Sequence, residues 1–207
     1  MRKILLFTFI FFAVIFIGCA GNKGADNEIA KEPPKAGLVK SAIPKITRAT
    51  AQEKVLELSE GLEVYHDDMK EFTLCRCRHD SDEDIVIVPY VVLSDDNYSV
   101  TLNYHILYSG REPLHFDTMY IKTSEGVKHF KYRNVSVLYG YNVIEEYNGI
   151  MSNEVYDVLK QAVNTGYAKI RLEGRQMEER ELKQKELDDF AKVFEIYEFF
   201  RNAKVEE

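Results

Sequence analysis

The 207-residue sequence has no tryptophan, five histidines and only three cysteines. So few cysteines exclude a small fold held together by several disulfides. Apart from Cys19, the cysteines are Cys75 and Cys77, whose side chains would leave the same face of a strand. A disulfide between such close neighbours is geometrically poor. We therefore expect Cys75 and Cys77 to be free thiols.

The sequence also lacks an excess of basic residues. It has 27 Lys and Arg against 34 Asp and Glu, which gives a formal net charge of −7. Binding to nucleic acid needs clustered Lys and Arg to neutralise phosphates. Adsorption to an anionic membrane surface is likewise driven by basic residues. The composition therefore predicts that nucleic acid is not a partner and that the protein does not lie flat on a membrane.

Motifs of catalysis are missing as well. The sequence contains no Gly-x-Ser-x-Gly, no Ser-x-x-Lys and no phosphate-binding glycine loop. The acidic residues are spread over every loop, so no spacing singles out a pair of carboxylates for hydrolysis. We predict no catalytic residue, no cofactor and no resident metal.

Two patterns resemble metal sites but fall short of them. Cys75, Cys77 and His79 would share one face of a strand, yet zinc sites usually combine two separated ligand pairs. The run from Asp80 to Asp84 begins like a calcium loop, but Ile85 stands where that loop needs glycine. We interpret the cysteines as covering a partly buried surface and the acidic run as a solvated turn.

The N-terminus has the pattern of an export signal. Arg2 and Lys3 precede an apolar segment from Ile4 to Ile17, which has the length of a signal-peptide core and is too short to span a membrane. The junction Phe16-Ile17-Gly18-Cys19 resembles the lipobox of bacterial lipoproteins, with Phe16 where Leu is usual. The resemblance implies cleavage after residue 18, a diacylglyceryl lipid on Cys19, and residence on the outer face of a membrane, in the periplasm or at the cell surface.

The composition then divides the remaining chain in two. Residues 19–49 are rich in Gly, Ala, Lys, Glu and Pro, and they have too few large apolar side chains to offset the entropy of ordering. We predict a flexible lipid tether there. Residues 50–207 are predicted to form a single domain, with the signal peptide at 1–18.

The domain has the pattern of an α+β fold. Several strand patterns are followed by a helix capped by Ser152, a strand over 168–172 and a C-terminal amphipathic helix, which predicts an antiparallel sheet or small sandwich with helices on one side. Alternation is clearest where Val100, Leu102, Tyr104, Ile106 and Tyr108 share one face.

Some segments are harder to assign. Thr50 and Glu53 have the spacing of a capping box, which predicts a helix from Thr50 to about Ser59. Pro89 interrupts an apolar strand and therefore predicts an edge or a bulge. Residues 114–122 are predicted to form a strand, and residues 140–149 have no period and are expected to form a loop. The last helix should begin between Gln176 and Lys183.

Thirteen tyrosines offer the remaining candidate site. Tyr139 and Tyr141 flank Gly140, and Tyr147 follows closely, so the three side chains are a candidate binding surface for a glycan or a peptide. Strand-rich proteins also use tyrosine in their cores. Burial of Tyr139 and Tyr141 would favour that second interpretation.

These observations favour a lipid-anchored envelope protein that acts as a non-enzymatic binding module for a protein or a glycan. One alternative is an envelope hydrolase with a carboxylate or histidine site on the loops at 65–84 or 140–149. The other is a purely structural envelope component. A cleft with converging carboxylates would favour the hydrolase, and a flat apolar patch of roughly several hundred Å² would favour the binding module.

Overall fold

A computed structural model describes residues 45–78, 83–96 and 98–206. The predicted signal peptide, the lipidation site Cys19 and most of the predicted tether lie outside these residues. In chain order, the elements are β1 (Lys45–Thr47), α1 (Arg48–Leu58), β2 (Glu63–Asp67), β3 (Phe72–Arg76), β4 (Ile85–Ser94), β5 (Val100–Gly110), β6 (Thr118–Thr123), β7 (Gly126–Lys131), β8 (Ser136–Tyr139), β9 (Val143–Ile150), α2 (Asn153–Thr165), β10 (Lys169–Glu173), β11 (Met177–Glu181), α3 (Gln184–Arg201) and β12 (Lys204–Glu206).

The strands form two antiparallel sheets and one short parallel pair. The large sheet has the order β2-β3-β4-β5-β9-β8, and the small sheet has the order β11-β10-β6-β7. The parallel pair joins β1 to β12 and so brings the two ends of the described chain together. Residues 45–49, which the composition assigns to the tether, therefore lie in β1 and the first turn of α1.

The helices pack against both sheets. Helix α3 packs against β4 and β5 and also contacts α1 and α2, while α2 packs against β6. The predicted α+β class is therefore confirmed, including the antiparallel sheet and the C-terminal helix. The largest fully buried side chains come from both sheets, two helices and the segment before β6: Ile85, Ile87, Leu93, Ile106, Leu114, Phe116, Met119, Ile121, Leu159, Ile170, Leu172 and Phe190.

The centre of the large sheet follows the sequence pattern. In β5, Leu102, Tyr104, Ile106 and Tyr108 are buried, while the residues between them are more exposed, as alternation predicts. Strand β4 is buried at every residue from Ile85 to Pro89. A strand buried on both faces needs apolar side chains throughout, and β4 has them.

Pro89 occupies a local edge, as predicted. The pairing of β3 with β4 ends where Arg76 meets Tyr90, so at Pro89 β4 is paired in the ladder only with β5. The carbonyl of Pro89 accepts a bond from the Cys77 amide on the β3 side. Its ring nitrogen points the same way, where no ladder bond is required.

The helix boundaries differ in part from the predictions. Helix α1 begins at Arg48. Its N-terminal cap is Thr47 and not the predicted Thr50: the Thr47 hydroxyl accepts a bond from the Thr50 amide at 3.2 Å. Helix α2 begins after Ser152 as predicted, with the Ser152 hydroxyl accepting from the Val155 amide at 3.3 Å. In both helices, therefore, a hydroxyl group at the N-cap accepts a bond from an amide of the first turn that has no partner within the helix.

The C-terminal helix starts one residue beyond its predicted range, with Lys183 as its N-cap. Met177–Glu181 form β11, which pairs with β10, and α3 begins only at Gln184. The Glu186 carboxylate reaches back to the Lys183 amide at 2.8 Å and closes the first turn. Strand β11 lies at the edge of its sheet, and four of its five residues are exposed. Its sequence therefore shows no alternation of apolar and polar residues that would predict a strand.

The prediction of a loop over residues 140–149 was wrong. Residues Val143–Ile150 form β9, which pairs with β5 along eight residues and with β8 along four. The period was hidden because one of the buried positions, Glu145, carries a carboxylate. A search for apolar alternation misses a strand whose inward position is charged.

Candidate functional site

The three predicted tyrosines lie in two different environments. Tyr139 at the end of β8 and Tyr141 in the following turn are exposed, at 71% and 103% of their surface. Tyr147 is partly buried and packs against the core. Tyr139 lies opposite Val143, four residues along β9 from Tyr147, which is about 14 Å at about 3.4 Å per residue. The structure therefore does not bring Tyr147 together with the other two rings.

Tyr147 belongs to an aromatic cluster with Tyr104, Phe116 and Tyr132. Its ring centroid lies 4.6 Å from that of Tyr132 and 5.7 Å from that of Tyr104. Phe116 meets Tyr132 edge to face at 6.4 Å. Aromatic pairs in such arrangements stabilise the folded protein by more than the burial of their apolar area alone. The cluster therefore holds the Tyr147 ring in one place.

Two hydroxyl groups in this cluster bond to each other. The Tyr104 hydroxyl donates to that of Tyr132 at 3.0 Å. Burial raises the pKa of Tyr104 to about 12 and raises the pKa of Tyr132 still further. Both hydroxyls stay protonated at neutral pH, so the cluster is a rigid neutral wall.

An open groove of about 680 Å³ lies against this wall. Tyr132 and Tyr147 supply its aromatic side, and the remaining lining is polar: Asp117, Lys131, Arg133, Asn134 and Asn148. A volume in this range is typical of ligand sites, which combine aromatic side chains with a few polar groups. We refer to this site as the Tyr147 groove.

The backbone of the Tyr147 groove comes from three segments, one of which is the loop that ends at Asp117. The chain leaves the small sheet at the end of β7 and crosses to β8 through residues 132–135. Asn134 adopts a left-handed conformation, with φ of 63°, in this crossing. The other side is formed by β9, since Tyr147 and Asn148 line the groove. The groove therefore lies where the two sheets diverge.

Two of the lining side chains are cationic. Lys131 and Arg133 are exposed, and neither makes an ion pair within the described part of the chain. Asp117 is the acidic member, and one of its carboxylate oxygens accepts a bond from Thr118 at 2.6 Å. In a chain of net charge −7, this groove therefore carries two cations against one carboxylate.

A buried carboxylate fixes the loop beside the groove. Glu145 is 0% exposed, and its two oxygens accept bonds from the amides of His115 at 2.7 Å and Phe116 at 2.9 Å. Residues 114–117, predicted as strand, are irregular here: the amides of His115 and Phe116 bond to this side chain, and the Asp117 amide donates to the Glu173 carbonyl at 3.1 Å. His115 has a φ of 50°, a conformation that non-glycine residues adopt rarely.

The cysteines are free thiols, as predicted, and both are buried. Burial raises the pKa of Cys75 to about 11 and also raises that of Cys77, near which Asp189 acts in the same direction. A thiol with a raised pKa is a poor nucleophile and a poor metal ligand. His79, the third residue of the zinc pattern, lies outside the described residues.

The loops proposed for a hydrolase carry acidic and histidine side chains that pair locally. Glu83 forms ion pairs with Lys183 and Arg180, while residues 80–82 lie outside the description. His66 contacts Asp68 and Asp95. In residues 45–78, 83–96 and 98–206, no group of three His, Cys, Asp or Glu side chains is placed to hold a metal ion.

Comparison of the chain with models of protein families, with curated proteins and with solved structures gave no match. Within the described segments, no helix has the length and apolar character needed to cross a membrane. The function of the Tyr147 groove therefore has to be inferred from its geometry.

Sequence reasoning found Tyr147 but missed the residues that surround it. Lys131 and Arg133 form a short basic cluster in an acidic chain, and that contrast was visible in the sequence. Asn148 gave no signal, because its position in the groove depends on β9 pairing with β5. Asp117 likewise reaches the groove only through the loop that Glu145 holds.

Proposed function

We propose that this protein is a lipid-anchored protein of the bacterial envelope whose domain is a non-enzymatic binding module for a protein or glycan partner. The Tyr147 groove is the binding site. The lipid on Cys19 would hold the module at the membrane, and the segment that follows would give it reach.

The observation that carries this proposal is the composition of the groove. A rigid aromatic wall, two cations without ion pairs in the described residues and two asparagine amides surround one open space. Aromatic rings with nearby hydrogen-bonding groups are the residues enriched at recognition surfaces. The Tyr132 hydroxyl beside this space stays protonated, because burial raises its pKa.

A thermal-shift screen of the full-length chain in mild detergent tests the binding proposal. The panel contains envelope glycan fragments and pooled synthetic peptides. A ligand at one hundred times its Kd adds about 2.7 kcal/mol of stability, which raises Tm by roughly 5–10 °C in a chain of this size. A ligand of the groove loses this shift in the double variant Lys131→Gln/Arg133→Gln. Lys128→Gln, an exposed lysine of β7 that does not line the groove, is the matched control.

Two results would contradict the Tyr147 groove as the binding site. Hits whose shifts survive in the Lys131→Gln/Arg133→Gln variant would place binding elsewhere on the protein. An unresponsive panel, together with no crosslinks from a photoreactive group at position 133 in intact cells, would remove the groove as a binding site.

The lipid anchor is tested separately. Cells that express the full chain are labelled with a clickable fatty acid, and the protein is then captured and fractionated. We expect label and membrane retention in the wild type and in Cys75→Ser, and loss of both in Cys19→Ser, because only Cys19 follows the lipobox-like junction. Equal labelling of Cys19→Ser would refute the anchor.

A further inference from the structure

We propose that the Tyr147 groove binds the C-terminal segment of a partner protein as an added antiparallel strand of the large sheet, with the terminal carboxylate of that segment held by Lys131 and Arg133. This inference rests on the proposed function and specifies the class of ligand. It follows from an unpaired strand edge, its direction and the charge at one end of it.

The unpaired edge belongs to the second half of β9. Strand β8 pairs with β9 only from Val143 to Glu146, whereas β5 pairs with it as far as Ile150. From Tyr147 to Ile150, β9 therefore has a neighbour on one side only within the described residues. Asn148 and Ile150 are exposed, the latter at 68%.

The hydrogen-bonding direction of this edge can be assigned. The Met151 amide donates to the Leu102 carbonyl of β5 at 2.9 Å. Because successive residues of an antiparallel strand alternate in direction, Tyr147 and Gly149 also bond to β5. The main-chain groups of Asn148 and Ile150 therefore point away from β5, towards the open side. They form a short template for a further strand.

The path of the chain limits how that strand can lie. An added strand would continue the line of β8, whose first residue, Ser136, lies opposite Glu146. The segment 133–135 leads into Ser136 and blocks this line. A bound segment must therefore end beside residues 133–135, after spanning about four residues, or about 13 Å, of β9.

Charge selects which end of the segment lies there. Arg133 and Lys131 line the groove at the blocked end, and neither has an ion-pair partner in the described part of the protein. An antiparallel segment runs from Ile150 towards Tyr147, so its C-terminus lies at the Tyr147 end of the edge, next to these cations. A parallel segment would place its α-ammonium group there and be repelled. The carboxylate of Asp117 remains bonded to Thr118 at 2.6 Å.

The side chains of the bound segment would meet two different faces. Successive residues of a strand point to opposite faces. One face of the added strand meets the aromatic rings of Tyr132 and Tyr147, and the other meets Asn148, whose side chain accepts a bond from Tyr90 at 2.6 Å. We therefore expect apolar residues to be preferred on the inner face. A glycan would use the rings without requiring the strand edge, so the edge favours a peptide.

Binding is tested with two libraries of eight-residue peptides, one with a free C-terminal carboxylate and one amidated. The full-length chain in detergent is titrated with the best-binding sequence in both forms. We expect amidation to weaken binding at least tenfold, and Lys131→Gln/Arg133→Gln to remove the difference between the two forms. Lys128→Gln should bind like the wild type.

Amide hydrogen exchange tests the strand geometry. Addition of the free-acid peptide should slow exchange at the amides of Asn148 and Ile150 by at least tenfold. The amides of Tyr147 and Gly149, already bonded to β5, should change little. A variant pair at one position isolates the main chain: Asn148→Ala removes only the side-chain amide, whereas Asn148→Pro also removes the outward N–H and should weaken binding at least tenfold more than Asn148→Ala. The melting temperature of each variant confirms its folding.

The outcomes separate this inference from the proposed function. If a glycan or peptide binds in a way that needs Lys131 and Arg133 but leaves the Asn148 and Ile150 amides unprotected, the added strand is refuted and the binding module stands. Equal affinity of acid and amide peptides refutes the carboxylate site. If neither library nor any glycan depends on the groove, both proposals fall.

Discussion

Glu145 shows how a single buried carboxylate can organise a functional region. It lies on β9 beneath the groove, and its oxygens accept the amides of His115 and Phe116 at 2.7 and 2.9 Å. Those two bonds satisfy the His115 and Phe116 amides, which lie outside any strand. They also position Phe116 against Tyr132 and place Asp117 at the groove.

Replacing Glu145 with Gln tests this role. The amide group of Gln has only one acceptor oxygen, so its NH₂ group would face a main-chain N–H and leave a buried donor without a partner. We expect unfolding by urea to show a loss of about 1–3 kcal/mol. The loop should also lose protection at the His115 amide in hydrogen exchange.

Glu146 offers a matched control one residue along the chain. Its side chain lies on the opposite face and is 40% exposed, with a 3.4 Å ion pair to His105. Exposed pairs of this kind contribute about 0–1 kcal/mol, so Glu146→Gln should cost far less than Glu145→Gln. Equal losses of unfolding free energy in the two variants would show that the buried hydrogen bonds of Glu145 stabilise the protein no more than the exposed pair of Glu146.

Strand β9 is the element that joins the core to the groove. Its inward side chains, Glu145 and Tyr147, hold the loop and the aromatic wall, while its outer edge from Tyr147 to Ile150 is open. Gly149 follows Tyr147 by two residues in β9, and its lack of a side chain leaves room for the Tyr147 ring. A Cβ atom at Gly149 would lie 2.5 Å from the Tyr147 hydroxyl oxygen and 2.9 Å from Cζ.

Gly149→Ala should therefore displace the Tyr147 ring from the cluster. We expect a loss of about 1–3 kcal/mol, because overpacking forces a fixed side chain out of its position. In a Tyr147→Ala background the same change should be nearly neutral, so a double-mutant cycle should show coupling between the two sites. Denaturant unfolding of the four proteins measures it.

Gly140→Ala provides the comparison for this element. A Cβ atom there would meet only the Asn142 carbonyl oxygen at 3.5 Å, an ordinary contact. Its stability should change by less than that of Gly149→Ala. If the Gly149→Ala loss persists undiminished without the Tyr147 ring, steric displacement is not its cause.

At the scale of the whole molecule, buried neutral groups link stability to alkaline pH. Burial raises the pKa of Cys75 from 9.0 to about 11 and that of Tyr104 from 10.0 to about 12. The folded state therefore holds these protons more tightly than the unfolded state. Their contribution is complete below pH 9 and is lost progressively as the pH rises through 11 and 12.

Urea unfolding between pH 8 and pH 11.5 should show this fall. Cys75→Ala removes one of the groups, so its stability should decline less steeply than that of the wild type between pH 9 and 11. Tyr141→Phe changes a fully exposed ring and should keep the wild-type slope. A flat profile in the wild type, or an unchanged slope in Cys75→Ala, would contradict the linkage.

The sequence was informative where one interaction dominates. Alternation along β5 and helical spacing after Ser152 each reflect burial of one face, and both predictions were confirmed. Pro89 correctly indicated a local edge because its missing N–H is a covalent property. The lipobox-like junction ending at Cys19 remains a prediction, since those residues lie outside the description.

The elements that were missed depend on partners distant in sequence. The sequence by itself determined the α+β class, the free thiols and the acidic balance, because apolar periodicity, cysteine spacing and charge are local or additive properties. Only the tertiary structure decided that β9 is a strand, that Glu145 is buried and that Lys131 and Tyr147 line the same groove. Each of those facts requires backbone groups tens of residues apart to satisfy one another, and local periodicity does not record such pairing.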